Sequence, residues 1–556
     1  MAKFTILDPS LDSVGGHHFD YDYHTVCAAE QLGYEVVLAT NHHFDRRDAL
    51  PDACRVLRTF RYHTYNRYTE LAGIRDLQTD EIKAKVELRG DLCWLDKLKL
   101  FFSQWIDGRK RANPEKGRRR RIQRFAKDVE RLFESIGLNS GDHVFVPTLS
   151  EIELLGLARF LNSEPSTRQV HWHVQFHFSL YHGFEFADAQ RQQLDRMRRF
   201  FTTAVSQTSD HHLHFYTSSA PLARQYNRLG VALFEPLAYP VNPRFKSSEQ
   251  GRRAEGPLRI TLAGVPREEK GSRIVNDLAD RISADLFDQQ RAMLVVQARD
   301  CESGHPGVVQ VQHPLELDDY VELIRTADVG VLMYDRQRYY FRRAGVLGEM
   351  LTAGVPVVVP AGCWLAEQIS EPIYQHLEVL IDGQTSADIA PCNNVPPSTT
   401  DCIISLETDN RRHIELTVDQ FGDTGKQLQS DTTICGPRCN NDRMHSLIHL
   451  HHACHSLKIR WQNPYGTDAI QVAKATLNFI DASDQPTGHL PLGKVGLIAA
   501  NPGQVPELLR EIVDHFEHYH RSADEFSNEW FARHDPQCTV GQLLEKATDA
   551  IRTHAA

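Results

Sequence analysis

Glu349 is a carboxylate set among apolar neighbours in the stretch Arg342 to Pro360, RRAGVLGEMLTAGVPVVVP. At roughly 100° per residue, Val346, Leu347, Met350 and Leu351 share one helix face, and Glu349 points the opposite way, off the core. A helix that begins near Gly345 offers free N–H groups and the positive end of its dipole, which can hold a phosphate. A carboxylate one turn in can accept both hydroxyls of a ribose. The plain alternative is an ordinary helix–strand unit with a surface glutamate. A second group of charges lies upstream, in Val265-Pro-Arg267-Glu-Glu-Lys270-Gly271. Arg267 and Lys270 suit a reaction in which a diphosphate departs, because a site without a metal ion must neutralise the developing charge with cations and helix N-termini. Arg342 and Arg343 are further candidates for a phosphate or a charged sugar.

A parallel α/β framework has to position these groups. Gly354 closes the helix, and Val355-Pro-Val-Val-Val-Pro360 is β-branched without polar alternation, as in a strand covered on both faces. Leu258 to Gly264, Ala292 to Arg299, Val308 to Pro314 and Val329 to Tyr334 read as further buried strands, with helices over Ser272 to Ile282 and Leu317 to Ala327. The N-terminal half repeats the scheme. Its strands are Phe4 to Asp8, Glu35 to Thr40, His143 to Thr148, Val170 to Phe178, His214 to Ser219 and Val231 to Tyr239, and its helices run from Gly15-Gly16 to Gly33 and from Glu151 to Asn162. Gly15 and Gly16 sit where a strand hands over to a helix, so backbone can approach a ligand closely there. His177 ends a strand at the edge where α/β sheets bind ligands, and is the histidine chosen to face the crevice, with His173 next. Asp20 and Asp22 form a D-x-D pair, but on a helix they fall about 200° apart, too far round to share one metal ion. Arg55 to Arg131 reads only as helices with loops.

At 556 residues the chain calls for two or three domains, and 41% hydrophobic with 24% charged residues is ordinary for a globular protein. A formal charge of -11 argues against general nucleic-acid binding. The opening residues show no secretory signal and no window approaches a membrane span, and eleven scattered cysteines suit reduced thiols, so a cytoplasmic location is expected. A basic run, Arg109 to Arg111 with Lys116 and Arg118 to Arg121, follows the aromatic segment Leu98 to Trp105. It reads as a solvated, salt-bridged helix face. The alternative is peripheral contact with an anionic membrane at its inner face, each basic residue contributing about 1 kcal/mol.

The spacing Gly345-x3-Glu349-x4-Gly354-x-Pro356-Val357-Val358 resembles the nucleotide-sugar signature of GT-B glycosyltransferases, within them the large family-four group. Lys270-Gly271 match the end of that family's Gly-Arg-x4-Lys-Gly loop, with Val265 in place of its Arg and Arg267 two residues on. Gly15-Gly16 and the later Leu-Gly-Tyr-Glu-Val are similar to its N-terminal opening, which faces acceptor and donor phosphates. Asp319-Tyr320 to Val329 also resembles its approach to the donor site. The resemblance implies an α/β GT-B fold of two Rossmann-like domains. It implies a nucleotide-diphosphate sugar as donor substrate, no other cofactor and no metal, and an acceptor that is a glycan, a lipid-linked or a small molecule. In the family the residue at Glu349 binds the donor ribose, a histidine such as His177 lies beside the transferred sugar, and configuration is retained. A second Glu usually stands eight residues before the first, where this chain has Phe341.

After Gln368 the α/β pattern gives way to period-two strands, Cys402 to Thr408, His413 to Asp419, Ser456 to Trp461 and Ala469 to Ile480, which read as an inserted β-sandwich. Cys435, Cys439 and the histidines from His445 to His455 fit no standard zinc spacing, and no metal is expected. Val495 to Asn501 resumes the sheet, and Pro506 to Tyr519 and Ser522 to His534 are helices that fold back across a hinge at Glu235 to Pro243. The expected division is 1–245 for the acceptor domain, 256–370 and 491–556 for the nucleotide-sugar domain, and 371–490 for the insertion. Two other classes fit the same scaffold: a nucleotide-sugar epimerase, and a non-catalytic protein that binds glycan or protein through the insertion.

Overall fold

The computed structural model describes residues 2–14, 16–64, 68–71, 114–181, 188–246, 256–264, 267–298, 305–335, 338–339, 341–360, 363–369, 374–380, 395, 399–408, 414–435, 443–462, 472–481, 495–499 and 502–554. Gly15, Val265, Arg109 to Arg111 and Cys439 lie outside them.

The first sheet is parallel throughout, with strands β1 (Lys3–Asp8), β2 (Glu35–Asn41), β3 (Arg55–Phe60), β4 (His143–Val146), β5 (His171–Phe176), β6 (His212–Thr217) and β7 (Phe234–Pro236) in the order β3-β2-β1-β4-β5-β6-β7. The order reverses between β1 and β4, which puts a ligand crevice beyond the C-terminal ends of those strands. On one face pack α2 (Pro114–Ile136), α3 (Glu151–Ser163), α4 (Asp188–Gln207) and α5 (Ala220–Asn227), through Phe125, Leu157, Met197 and Tyr226. On the other lies α1 (Gly16–Gln31), whose entry at Gly16 has φ +79, open to glycine and strained for any other residue. β3 corrects the reading of 55–131 as helix and loop: a half-buried edge strand with three polar residues in six gives too weak a periodic signal.

The same face carries a feature of histidines. His143 of β4, His171 and His173 of β5, and His212 and His214 of β6 stack across neighbouring strands, ring centroids 5.0 to 5.5 Å apart in successive pairs. His173 is fully buried, with its ring nitrogens 3.2 Å from His143 Nδ1 and 3.3 Å from the Tyr216 hydroxyl. It is therefore a core residue and not, as expected second to His177, a crevice residue.

The second sheet repeats the topology. Strands β8 (Leu258–Leu262), β9 (Ala292–Ala298), β10 (Val308–Gln312), β11 (Val329–Val331) and β12 (Val357–Pro360) are parallel. Helices α6 (Val275–Ile282), α7 (Leu317–Arg325), α8 (Gly345–Thr352) and α9 (Trp364–Ile369) cover it. Among the described residues β10 pairs only with β9, at the edge, and Val309 is 45% exposed, so the expectation of a buried strand there fails: valines at an edge look the same as valines inside.

Between β12 and the last strand of this sheet comes the insertion: β13 (Tyr374–Leu380), β14 (Thr399–Thr408), β15 (Ile414–Phe421), β16 (Gln427–Cys435), β17 (Arg443–His449), β18 (Ser456–Gln462) and β19 (Val472–Asp481). They form two antiparallel sheets, β13-β19-β14-β17 and β16-β15-β18. Ile404, Leu406 and Phe479 of one meet Leu416, Ile459 and Trp461 of the other in a single core, which makes a sandwich. β20 (Gly496–Ala499) then adds beside β12, completing the order β10-β9-β8-β11-β12-β20.

Three helices close the chain: α10 (Val505–Asp514), α11 (Phe516–His534) and α12 (Pro536–His554). The break falls at His515, earlier than the sequence suggests, and α12 was not foreseen. These helices cross the hinge, where Val241 N–H donates to His534 O at 3.0 Å and Thr539 Oγ1 to Ala238 O at 2.8 Å. Val540 and Leu543 of α12 join the core beneath α1. Among the described residues no helix is long and apolar enough to cross a membrane. Two doubly wound domains with a C-terminal crossover are the architecture that the GT-B resemblance implies.

Candidate functional site

The loops beyond the C-terminal ends of the two sheets meet. The Arg343 guanidinium of the second domain lies 3.8 Å from the ring centroid of Tyr239 in the hinge, and Tyr239 is edge-on to Tyr21 of α1 at 4.7 Å. Ser219 Oγ, at the first domain's β6 edge, donates to Phe341 O at 2.7 Å. Lys270 and Arg267 are close enough to His17 of α1 to act on its charge, and Glu349 acts likewise on Asp20.

Glu349 lies in the first turns of α8, partly exposed, and accepts a 2.6 Å hydrogen bond from the Tyr320 hydroxyl of α7. Its Oε1 is 3.7 Å from where a Cβ on Gly345 would sit, so the carboxylate curls back to the positive end of its own helix. Burial raises the Glu349 pKa, while the Tyr320 bond, Arg343 and Lys270 pull it back. Gly345, the first residue of α8, is exposed.

Lys270 follows β8 in a short 3-10 turn (Glu268–Lys270) that Gly271 ends with φ +82; a side chain there would press on Met333 O. Burial, and then Arg267, bring the Lys270 pKa down to about 8, against the pull of Glu269 and Glu349. Its ammonium sits 5.4 Å from the Tyr334 ring centroid. Both line an open pocket of about 500 Å³ at the ends of β8, β9 and β11, with Gly264, Arg267, Ser272 and Gln297. The Tyr334 hydroxyl is buried and has no hydrogen-bond partner among the described residues. Arg267 is more open and stands 3.7 Å from Glu269.

Arg343 packs against Gly348, where a Cβ would come within 2.8 Å of Nη2. Burial brings its pKa down to about 10. His177, just past β5, donates Nε2–H to Pro147 O at 2.7 Å and lies edge-on to Tyr21. Burial holds its pKa at about 4, so the ring is neutral. Asp20 and Asp22 diverge: burial and then Glu349 raise Asp20 to about 7, whereas Asp22 is buried against Asp8. Phe341, at the place of the family's second Glu, is 4% exposed within the first domain's core.

The structure thus brings Lys270, Arg267, Arg343 and Glu349 of the second domain within electrostatic reach of His17, Asp20, His177 and Tyr239 on the first-domain side, with Gly345 at the start of α8 and Gly16 at the start of α1. Sequence reasoning missed Tyr239 and Tyr334. Both look like core aromatics in a sequence. Among the described residues no group of three or more His, Cys, Asp or Glu is arranged to hold a metal ion.

No family model matches the chain, and no curated protein matches it. Similar solved structures include WaaG, a glycosyltransferase involved in lipopolysaccharide biosynthesis, at 12% identity over 66% of this chain and 83% of that one, TM-score 0.37. Another is an alpha,alpha-trehalose-phosphate synthase (UDP-forming) from Burkholderia vietnamiensis, at 12% over 66% and 87%, TM-score 0.40. A third is AviGT4, a glycosyltransferase involved in avilamycin A biosynthesis, at 11% over 67% and 84%, TM-score 0.36. Likenesses this distant carry no weight for activity; the fold stands on the sheet orders.

Proposed function

We propose that the chain is a glycosyltransferase that moves a sugar from a nucleoside-diphosphate donor, held by the C-terminal domain, to an acceptor hydroxyl presented by the N-terminal domain. The observation that carries this is the pairing of Glu349, braced by Tyr320 at the start of α8, with Lys270 in the adjoining open pocket. Carboxylate and helix N-terminus suit a ribose and a phosphate; Lys270 and Arg267 suit the charge of a departing diphosphate without a metal ion. Retention of configuration is what the resemblance implies, and the anomeric configuration of the product tests it.

The test is calorimetric titration of nucleoside diphosphates and their sugars. Glu349→Ala should weaken binding at least tenfold, and unchanged affinity counts against the reading. Phe341 favours one other reading, a non-catalytic scaffold, because a buried phenyl ring cannot contact a donor sugar; turnover of donor with acceptor present excludes it, and turnover of donor alone marks an epimerase. Lys116, Arg119 and Arg120 of α2 are exposed, and contact with anionic lipid is their proposed use, read by salt-sensitive sedimentation with anionic liposomes.

A further inference from the structure

We propose that the inserted sandwich is a clamp between the two lobes: it seats β16, with Asp431, against α5 and Tyr181 of the first domain, and so holds the lobes at one opening. The insertion leaves the second domain after β12 and returns to it at β20, yet β16 packs on α5, which belongs to the first domain. Within its three-stranded sheet β16 is an outer strand, and an outer strand needs cover against stray pairing. Here α5 lies against it.

Three parts of the chain meet at Tyr181. Its hydroxyl accepts from Arg228 Nη1 at 2.8 Å, and its ring is edge-on to Phe341 of the second domain at 5.9 Å. Burial raises the Tyr181 pKa, Arg228 pulls it back, and the charge of Asp431 adds to the rise, which brings the sandwich to the same hydroxyl. Tyr181 and Phe341 are 4% exposed, Arg228 6% and Asp431 2%, so first domain, second domain and insertion meet away from solvent. Asp431 Oδ2 accepts from Gln420 at 3.2 Å and from Gln429 at 2.8 Å inside the sandwich. Its Oδ1 is buried and has no hydrogen-bond partner among the described residues. A carboxylate so enclosed is unfavourable unless a cation stands nearby, and Arg228 is the cation bonded to the tyrosine that Asp431 acts upon.

Position makes this contact a clamp. α12 holds the first sheet on its α1 face through Val540 and Leu543, and β16 holds it on the opposite face through α5. Two domains joined by a hinge alone swing as a matter of course. A domain gripped on both faces of its sheet swings only if one grip lets go. The clamp also reaches the ligand side, because α5 anchors the loop after β5. Gln225 Oε1 accepts the Leu180 N–H at 2.7 Å, Gln225 Nε2 donates to Tyr181 O at 2.9 Å, and the Tyr226 hydroxyl donates to Phe178 O at 2.9 Å. That loop begins at His177, whose own bond to Pro147 O completes its fixing. A clamp of this kind serves any reaction between the lobes, so it stands apart from the glycosyl-transfer reading.

The experiment compares wild type, Asp431→Asn and Asp431→Lys in the full chain. Asn keeps an oxygen for Gln420 and Gln429 but removes the charge, and Lys sets a cation towards Arg228. Hydrogen exchange in α5 and in residues 177–181 should quicken about threefold in Asp431→Asn and about tenfold in Asp431→Lys, while β15 and β18 keep their wild-type protection. Small-angle scattering should give the wild type one radius of gyration, within about 2%, with and without saturating uridine, adenosine or guanosine diphosphate, and a larger radius for Asp431→Lys. A wild type that compacts beyond that on binding a diphosphate, or unchanged α5 exchange in both variants, overturns the clamp. If Asp431→Lys unfolds the sandwich, shown by lost protection in β15 and β18, Arg228→Gln approaches the junction from the other side. It must then quicken exchange in β16 about threefold, and no change there overturns the clamp. A wild type that binds none of the diphosphates removes the donor-site reading, and the clamp is then decided by exchange in the variants alone.

Discussion

Phe341 of the second domain lies edge-on to Tyr181 of the first, ring centroids 5.9 Å apart, inside the hydrophobic core of the first domain. With the Ser219 hydroxyl bonded to its carbonyl, it joins the domains directly, beside the crevice. Where the resembling family keeps a carboxylate for the ligand, this chain has an apolar tie between its halves.

Removing that tie should loosen the first domain. Phe341→Ala deletes a buried ring, at a cost of roughly 3–5 kcal/mol, and Phe341→Glu should cost at least as much, because its carboxylate would be buried without a partner. Urea unfolding followed by tryptophan fluorescence reads both.

Donor binding should depend on pH through Lys270. With its pKa brought down to about 8 in the free protein, the ammonium is lost as pH rises through that value, and affinity for a nucleoside diphosphate should fall between pH 7 and 9. A bound diphosphate raises the pKa again, so binding above pH 8 should take up a proton, visible when calorimetry is repeated in buffers of different ionisation enthalpy. Lys270→Arg should keep most of the affinity at pH 7 and abolish the pH dependence.

Tyr320→Phe tests the brace on Glu349. Losing a hydrogen bond to a charged group costs about 1.5–3 kcal/mol, and here it should appear as a 10- to 100-fold weaker nucleotide-sugar complex. Because the bond pulls the Glu349 pKa down against burial, the variant should also lose affinity at higher pH than wild type as the solution is acidified.

The stacked histidines should make the first domain acid-labile. Burial holds His143 and His171 neutral down to about pH 4, whereas in the unfolded chain they charge near 6.5. The native state then binds fewer protons, so stability is complete above pH 6.5 and is lost as pH falls towards 4. His171→Phe keeps the stack without the titration and should flatten the fall in Tm between pH 6.5 and 4.5.

The two sheets and the α8 segment were legible because buried parallel strands are β-branched and α8 has a sharp period with glycine at its end. His177 was legible because it follows a strand. Edge strands were not: β3 is too polar and β10 too apolar for a pattern to tell them from loop or core. Tyr320 and Glu349 come from different helices, and a hydroxyl poised to brace a carboxylate leaves no periodic trace.

The hinge also bears on how the protein is made. Ala238 N–H donates to the side chain of Gln542, 304 residues further on, and β20 pairs with β12 only after the whole insertion has been spelled out. Neither lobe can therefore finish assembling on the ribosome until the last helices emerge. Nascent chains stalled within the sandwich should expose the α1 flank to chaperones and proteases, whereas the sandwich, with a core of its own, can settle while translation continues.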